Sequence, residues 1–233
     1  MELDFEYLQK LKNDPRLQDI EYGKCANDPY YFLTNWAKTL DVHDHSIKTF
    51  PKKLYIKTLI DIWLKNKLLL VPKSRQMMVS WLFVGLYLWD VQFHKNSLVF
   101  FQSKKADDAD DLVKRAKFIW DNEPNFLKRH YDNLRGFQEL KCNPQHMGQQ
   151  VYCRLSFPDI NSEIRGVPEG GDIVRMHTLS GLLSDEMAFQ PEAKSSYIAV
   201  KPSLSAGGRY TCVSTAEDLS FFDDLVYDRL EMI

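Results

Sequence analysis

Long apolar runs are missing from this 233-residue sequence: no stretch reaches the ~18 consecutive apolar residues of a membrane-spanning helix. The acidic start "MELDFEYLQK" lacks the basic-then-apolar order of a signal peptide, so the chain reads as cytosolic. Paired cysteines are missing too. Cys25, Cys142, Cys153 and Cys212 lie far apart and form no C-x-x-C, which excludes a zinc ribbon or a dithiol motif and leaves reduced, packed thiols. "VHDHS" sets His43 and His45 around Asp44, but an H-x-H in a polar connection reads as a solvated loop, and no metal is assigned there. Charge of one sign is lacking as well: 30 basic against 32 acidic residues leave a net charge of −2, which excludes a globally basic nucleic-acid binder and makes any DNA contact focal. No internal repeat or low-complexity tract is present. What remains, with 44% hydrophobic and 27% charged residues, is a globular chain long enough to bury the core of one large α/β domain.

The first fifty residues read as helices, "DFEYLQKLKN" and then "NDPYYFLTNWAKTL", where Asn27 or Asp28 can cap and Pro29 suits a first turn. "PKKLYIKTLIDIWLKN" spaces Leu54, Leu59, Ile62 and Trp63 on one helical face. From there strands and helices alternate. "KLLLVP" and "SLVFFQS" suit buried parallel strands, each followed by a helix-length segment, which is the pattern of an α/β sheet. In "KKADDADDLVKRAKFIWDN" the cluster Asp107, Asp108, Asp110 and Asp111 opens a helix, where the macrodipole and i, i+4 pairs to Lys114 and Arg115 explain it without a metal. "QQVYCRLSF", "TLSGLLSDEMAF" and "GRYTCVSTA" are further strand candidates, and "LSFFDDLVYDRLEMI" reads as an amphipathic closing helix. "PDINSEIRGVPEGGDIVRM", with three glycines and two prolines, reads as turn-rich.

Glycine is missing where it matters most. "VPKSRQMMVSW" joins an apolar strand to a helix, the setting of a phosphate-binding loop, and Ser80 falls where G-x-x-x-x-G-K-[ST] has its final hydroxyl. Lys73, Met78 and Val79 occupy the other three positions. The chemistry needs a helix N-terminus facing the phosphates, a hydroxyl for Mg²⁺ and a cation for the β/γ oxygens. Ser80 supplies the hydroxyl, and Lys73 and Arg75 offer cations, while the bulk of Met78 opposes a close backbone approach. On this segment alone a nucleotide site and a plain strand-to-helix turn both stand. A second signal is the strand-final pair Asp185-Glu186: an aspartate there can reach a Mg²⁺ water, and the adjacent glutamate can polarise an attacking water. A third is Ser214-Thr215-Ala216 at the end of another strand, a polar step that alone reads as a turn.

In order, these pieces resemble the ATPase domain of the large terminase subunits, the DNA-packaging motors of tailed phages, over most of the chain. "DPYYFLTNWAKTL" is similar to that family's entry segment, "KSRQMMVSW" to its divergent phosphate loop, the run with Arg175 ten residues before Asp185 to its Walker B approach, and "VSTA" to its coupling motif. The resemblance implies a P-loop NTPase fold of the ASCE type, a mainly parallel sheet between helices, with a helical lead-in over residues 1–45 and the ATPase core over 46–233. It implies ATP and Mg²⁺ as cofactors, bound by Lys73, Ser74, Arg75, Gln76, Met77, Met78, Val79 and Ser80, with Tyr55 at the base and Ser80 and Asp185 at the metal. Glu186 becomes the general base, Lys73 and Arg75 the cations on the phosphates, with Arg75 counted among the catalytic residues, and Ser214, Thr215 and Ala216 the coupling step. Arg115, Arg165 and Arg175 are candidates for an arginine acting on a neighbouring subunit. Double-stranded DNA, a portal protein and a small terminase subunit are the implied partners, in a ring, in the cytoplasm of the infected bacterium. Met78 and Val79 depart from the family's frequent Gly-Lys, Tyr55 from its glutamine and Ala216 from its proline. Only seventeen residues follow the coupling strand, so no nuclease domain is expected in this chain. The alternatives are a nucleotide-binding or structural module of the same fold with a decayed site, and a helicase-like ATPase, of which one motor domain alone would fit this length.

Overall fold

Aspartates set the helical entry. Asp4, Asp14 and Asp28 each accept a first-turn N–H, and Pro15 and Pro29 follow the last two, so the chain starts with α1 Phe5–Asn13, α2 Pro15–Asn27 and α3 Pro29–Asn35. The computed structural model describes residues 4–41, 44–75, 77–130, 137–138, 153–215 and 217–227. Glu21 ties the entry together: its fully buried carboxylate accepts from Tyr7 Oη at 2.7 Å, Trp36 Nε1 at 3.2 Å, Lys24 Nζ at 3.0 Å and Tyr31 Oη. Burial pushes that carboxyl up, but the tyrosine and lysine donors outweigh it and leave it below its ordinary value.

The helical reading of the first fifty residues fails after Asn35. β1 Lys38–Asp41 pairs antiparallel with β2 Ser46–Thr49, because Thr39, Ile47 and Thr49 favour strand, and Asp44 and left-handed His45 (φ 53°) turn into β2. The anticipated boundary between residues 45 and 46 falls between these paired strands. His43 lies outside the described residues.

Beyond α4 Leu54–Lys65, β3 Leu68–Pro72 leads to α5 Val79–Phe93, and β4 Leu98–Ser103 to α6 Ala106–Asp121. Then come β5 Phe137–Gln138, β6 Arg154–Phe157, β7 Ser162–Pro168, α7 Asp172–Arg175, β8 Gly181–Asp185, α8 Ala193–Ser205, β9 Arg209–Ser214 and α9 Phe221–Val226. Among the described residues the strands form one seven-stranded sheet in the order β3-β9-β8-β4-β7-β6-β5, parallel from β3 to β7 and antiparallel at β6 and β5. The strand β9 separates β3 from β8, so the turns that end β3 and β8 open on the same edge of the sheet. This is the mainly parallel, helix-flanked P-loop sheet expected of the fold class.

Both faces are covered. Leu82, Phe83, Phe101, Leu112 and Ile164 share one core with Leu11, Phe32 and Trp36 of the entry helices, while Phe100, Val167, Leu182, Val200 and Tyr210 form a second core under α7 and α8. Helix α5, apolar on nearly every side, is sandwiched between sheet and entry helices, which is why it lacks a polar face. β4 is buried on both faces as its sequence predicts; β3 lies at the sheet edge, with Val71 its one buried residue.

The segment read as turn-rich has turns at Pro158–Ile160 and around Gly170, but between them it holds a seven-residue strand inside the sheet, β7. Gly166 is there for contact: a Cβ at that position would stand 2.8 Å from Asp110 Oδ1 and 3.0 Å from the Ala109 carbonyl, so α6 can lie on β7 only over a bare Cα. Of the closing segment, residues 221–226 are helical, and residues 228–233 lie outside the described residues. No helix among the described residues is long and apolar enough to cross a membrane.

Candidate active site

The turn from β3 into α5 starts with Lys73 N donating to Ser214 O at 2.9 Å, which carries the β3–β9 pairing one residue past Pro72. Met78 then adopts φ 55°, ψ 12°, a left-handed conformation, as the residue capping α5. That is the backbone state glycine usually supplies at this point. It bends the chain so that the first N–H groups of α5, which have no intrahelical partners, open toward the end of the sheet. Tyr55 Oη donates to Met77 O at 3.2 Å and pins the turn to α4. Ser74, Arg75 and Met77 are exposed, Val79 is buried under the turn, and Gln76 lies outside the described residues.

Two contacts join this turn to the end of β8. Ser80 Oγ donates to Asp185 Oδ1 at 2.8 Å, and Lys73 Nζ pairs with Glu186 Oε1 at 2.8 Å. Burial raises the pKa of Asp185, with the Ser80 hydroxyl and the Lys73 charge opposing it. Glu186 is half-buried; burial pushes it up, but the Lys73 ammonium and Thr215 outweigh that and hold it below the ordinary carboxylate range. Glu186 itself is left-handed, φ 52°, which turns its side chain off the strand axis toward Lys73.

Thr215, anticipated as part of a coupling step, reaches the same carboxylate. Thr215 donates to Glu186 Oε2 through its amide at 3.4 Å and its hydroxyl at 3.3 Å, and Ser214 Oγ accepts from Ala188 N at 3.1 Å. Ala216 lies outside the described residues. Two residues without a sequence signal brace the turn: Gln190 Nε2 donates to Asp185 O at 2.9 Å, and Ser103 Oγ to the same oxygen at 3.4 Å. Neither sits in a recognisable pattern, since each acts through a backbone carbonyl.

Lys73, Arg75, Ser80, Asp185, Glu186 and Thr215 line one cavity of about 570 Å³, together with Ser103, Lys104, Asp108, Asp111, Arg115 and Phe189. Arg115 is thus in its own chain's cavity. The anticipated Asp111–Arg115 pair is not formed; Arg115 lies over the Trp81 ring at 5.6 Å, whose face competes for the guanidinium, and Asp111 is bonded by Lys114 at 3.3 Å. Arg165 pairs with Glu163 on β7 and Arg175 with Asp172 at 3.0 Å on α7, and neither lines the cavity. Tyr55 stands beside the loop and outside the cavity wall.

A left-handed strand-to-helix turn facing an acidic strand end across one intervening strand is the arrangement of a P-loop type of α/β fold. Within it, the chain has the fold found in phage large terminases. It superposes on the HK97 bacteriophage large terminase with a TM-score of 0.59 at 11% sequence identity, over 88% of this chain and 42% of that one. A point variant of the Thermus phage P74-26 large terminase ATPase domain matches at TM-score 0.49 and 16% identity, over 75% of this chain and 68% of that one. The large terminase of a thermophilic bacteriophage, solved in complex with ADP, matches at TM-score 0.46 and 11% identity, over 70% and 39%. No protein-family model matches the chain. The chain spans less than half the length of the HK97 protein.

Proposed function

We propose that this chain is the ATP-hydrolysing motor domain of a viral DNA-packaging machine, which moves double-stranded DNA into a procapsid. The observation that carries the reading is the double link between turn and strand end, Ser80 to Asp185 and Lys73 to Glu186. The donor set fits MgATP: a hydroxyl and a buried carboxylate 2.8 Å apart offer the hard oxygens Mg²⁺ takes when phosphates and water fill its other positions. When bound, Mg²⁺ neutralises charge on the β/γ oxygens.

The chain's own residues do the rest. Lys73 is the cation of the loop, displaced from the position Val79 occupies, with Arg75 beside it on the cavity wall. Its ammonium has two anionic claims on it, Glu186 and an incoming phosphate. Moving to the phosphate frees Glu186 Oε1, while Thr215 still holds Oε2, so the carboxylate stays aimed as it takes the proton of water. Because Thr215 directly follows β9, the same bond carries the state of Glu186 to the end of the sheet.

In the assembled motor we place several copies in a ring with a portal protein and a small terminase subunit, in the cytoplasm of the infected bacterium. Multiplied weak contacts then grip DNA despite the near-neutral charge. An arginine from a neighbour, with Arg175 and Arg165 the candidates outside the cavity, completes the site. A decayed site is the weaker reading, because both cross-links between turn and strand end persist. The test is nucleotide titration followed by ATPase assay with and without DNA, on the parent and Glu186→Gln. The variant should bind ATP like the parent and lose ~10²- to 10⁴-fold in turnover. Equal turnover would remove Glu186 from the mechanism.

A further inference from the structure

The antiparallel end of the sheet carries a like-charge pair. Arg154 on β6 and Arg165 on β7 are register partners, so their side chains leave the same face of the sheet side by side, where two like charges repel. That face is the one of Phe100 and Val167: Arg165 lies over the Phe100 ring at 5.9 Å, and Ile164 and Leu155, the alternate residues, point into the opposite core. One carboxylate answers the two guanidiniums. Glu163 pairs with Arg165, whereas Arg154 makes no side-chain hydrogen bond or ion pair among the described residues. Among the described residues, Nε of both arginines is buried without an acceptor. A native sheet that keeps an unanswered cation beside another has a use for the charge or an acceptor from outside.

Arg154 lines a second cavity, of about 410 Å³, with Asn96, Ser156, Asn161 and Glu163 among its walls. It opens at the start of β4, while the nucleotide cavity lies at the other end of that strand. Asn161 Nδ2 donates to Asn96 Oδ1 at 3.1 Å, which fixes the Asn96 amide with its nitrogen unengaged. A guanidinium, a second positive charge next to it and an amide donor suit a multi-oxygen anion better than a planar carboxylate, which uses fewer donors. We propose that this cavity binds a phosphate group, with Arg154 as its principal ligand and Arg165 reinforcing the charge. The group can come from the backbone of duplex DNA or from free phosphate, and the two sources part in solution.

The thermal midpoint of the full chain is measured with rising inorganic phosphate against chloride of equal ionic strength, and duplex DNA binding is measured by anisotropy over a range of salt, for the parent and Arg154→Gln. Without anion the variant should be as stable as the parent or more so, since it loses the repulsion. A lower midpoint would mean that the chain already satisfies Arg154, and would overturn the site. With phosphate, the parent should gain a shift that Arg154→Gln lacks in part. Phosphate also enters the nucleotide cavity, so the difference between the two proteins is the readout, and unchanged nucleotide affinity in the variant separates this site from that one. A DNA source predicts instead that the variant lowers the salt slope by ~1 with no difference in the phosphate arm. If the variant keeps both the parent's phosphate shift and its DNA slope, there is no phosphate site at Arg154.

Discussion

Met78 holds at φ 55° a backbone state that costs a side-chain-bearing residue about 1–2 kcal/mol and glycine almost nothing. Met78→Gly should therefore fold with equal or slightly higher stability, the relief offset by ~0.5–1 kcal/mol of unfolded-chain entropy, and bind nucleotide at least as well; Met78→Val should lose stability. Paired melting curves check both, and a large loss in Met78→Gly would mean the thioether packs in a way the loop needs. The same turn separates Lys73 from Val79. Lys73→Ala should weaken nucleotide binding sharply and release Glu186 from its ammonium, with little change in folding. Val79→Ala should cost ~1–2 kcal/mol, because the side chain is 4% exposed and leaves a void, yet bind nucleotide like the parent. Affinity is therefore the measurement that discriminates, and an unaltered ATP affinity in Lys73→Ala would end the phosphate-loop reading. Ser80, Asp185 and Glu186 were legible in the sequence because strand ends and helix starts mark them. The Lys73–Glu186 pair was not, since it spans 113 residues and exists only through the order of the strands.

Elements were legible where one periodicity prevailed. β4 and α6 announce themselves, whereas β7 was hidden by Gly166 and its flanking prolines, which punctuate a sequence whether they serve a turn or a close approach. The hairpin β1–β2 was hidden because a helix ran into it without a glycine stop. Where α6 ends, a carboxyl is trapped that no pattern predicts: burial pushes Glu123 up to about 8, against a hydrogen bond from Gln92 at 2.7 Å and the Lys128 charge. A carboxyl raised in the folded state stabilises it below the ordinary carboxylate range, and that contribution is lost as pH rises from there toward about 8. Glu21 and Glu186, both lowered, act with the opposite sign and lose theirs as pH falls. Glu123→Gln should accordingly be near neutral at about pH 5 and stabilise by up to a few kcal/mol at about pH 8.5, where the parent buries a charge. Its amide also brings a donor to a pocket where Gln92 Oε1 and Glu123 Oε1 have no partner among the described residues. Urea unfolding at the two pH values measures this, and a variant with the parent's pH slope would show that Glu123 is neutral for some other reason or is not trapped at all.

Residues 1–45, expected as a lead-in, share their buried side chains with the core. Leu11, Cys25, Phe32, Leu33 and Trp36 lie in the same buried cluster as Val79, Leu82, Phe83 and Phe101, and Trp89 Nε1 donates to Cys25 O at 2.8 Å across the junction. Helix α5 is the shared wall: its first turn holds Ser80 at the cavity lined by Lys73, Asp185 and Glu186, and its length is packed by the entry helices on one side and the sheet on the other. A ligand that binds only the folded site stabilises everything that unfolds with it, by about 2.7 kcal/mol at a hundredfold excess over Kd. Binding MgATP should then raise the protection of amide hydrogens in α2 and α3 together with those of β8 and β9, although no residue of α2 or α3 lines the nucleotide cavity. Hydrogen exchange at several ligand concentrations reads this directly. Matching increments in both parts mean one cooperative unit with a boundary in name only. Increments confined to the sheet, with the entry helices exchanging at a ligand-independent rate, would mean that residues 1–45 open on their own and that the shared cluster is a docking surface between two independently unfolding parts.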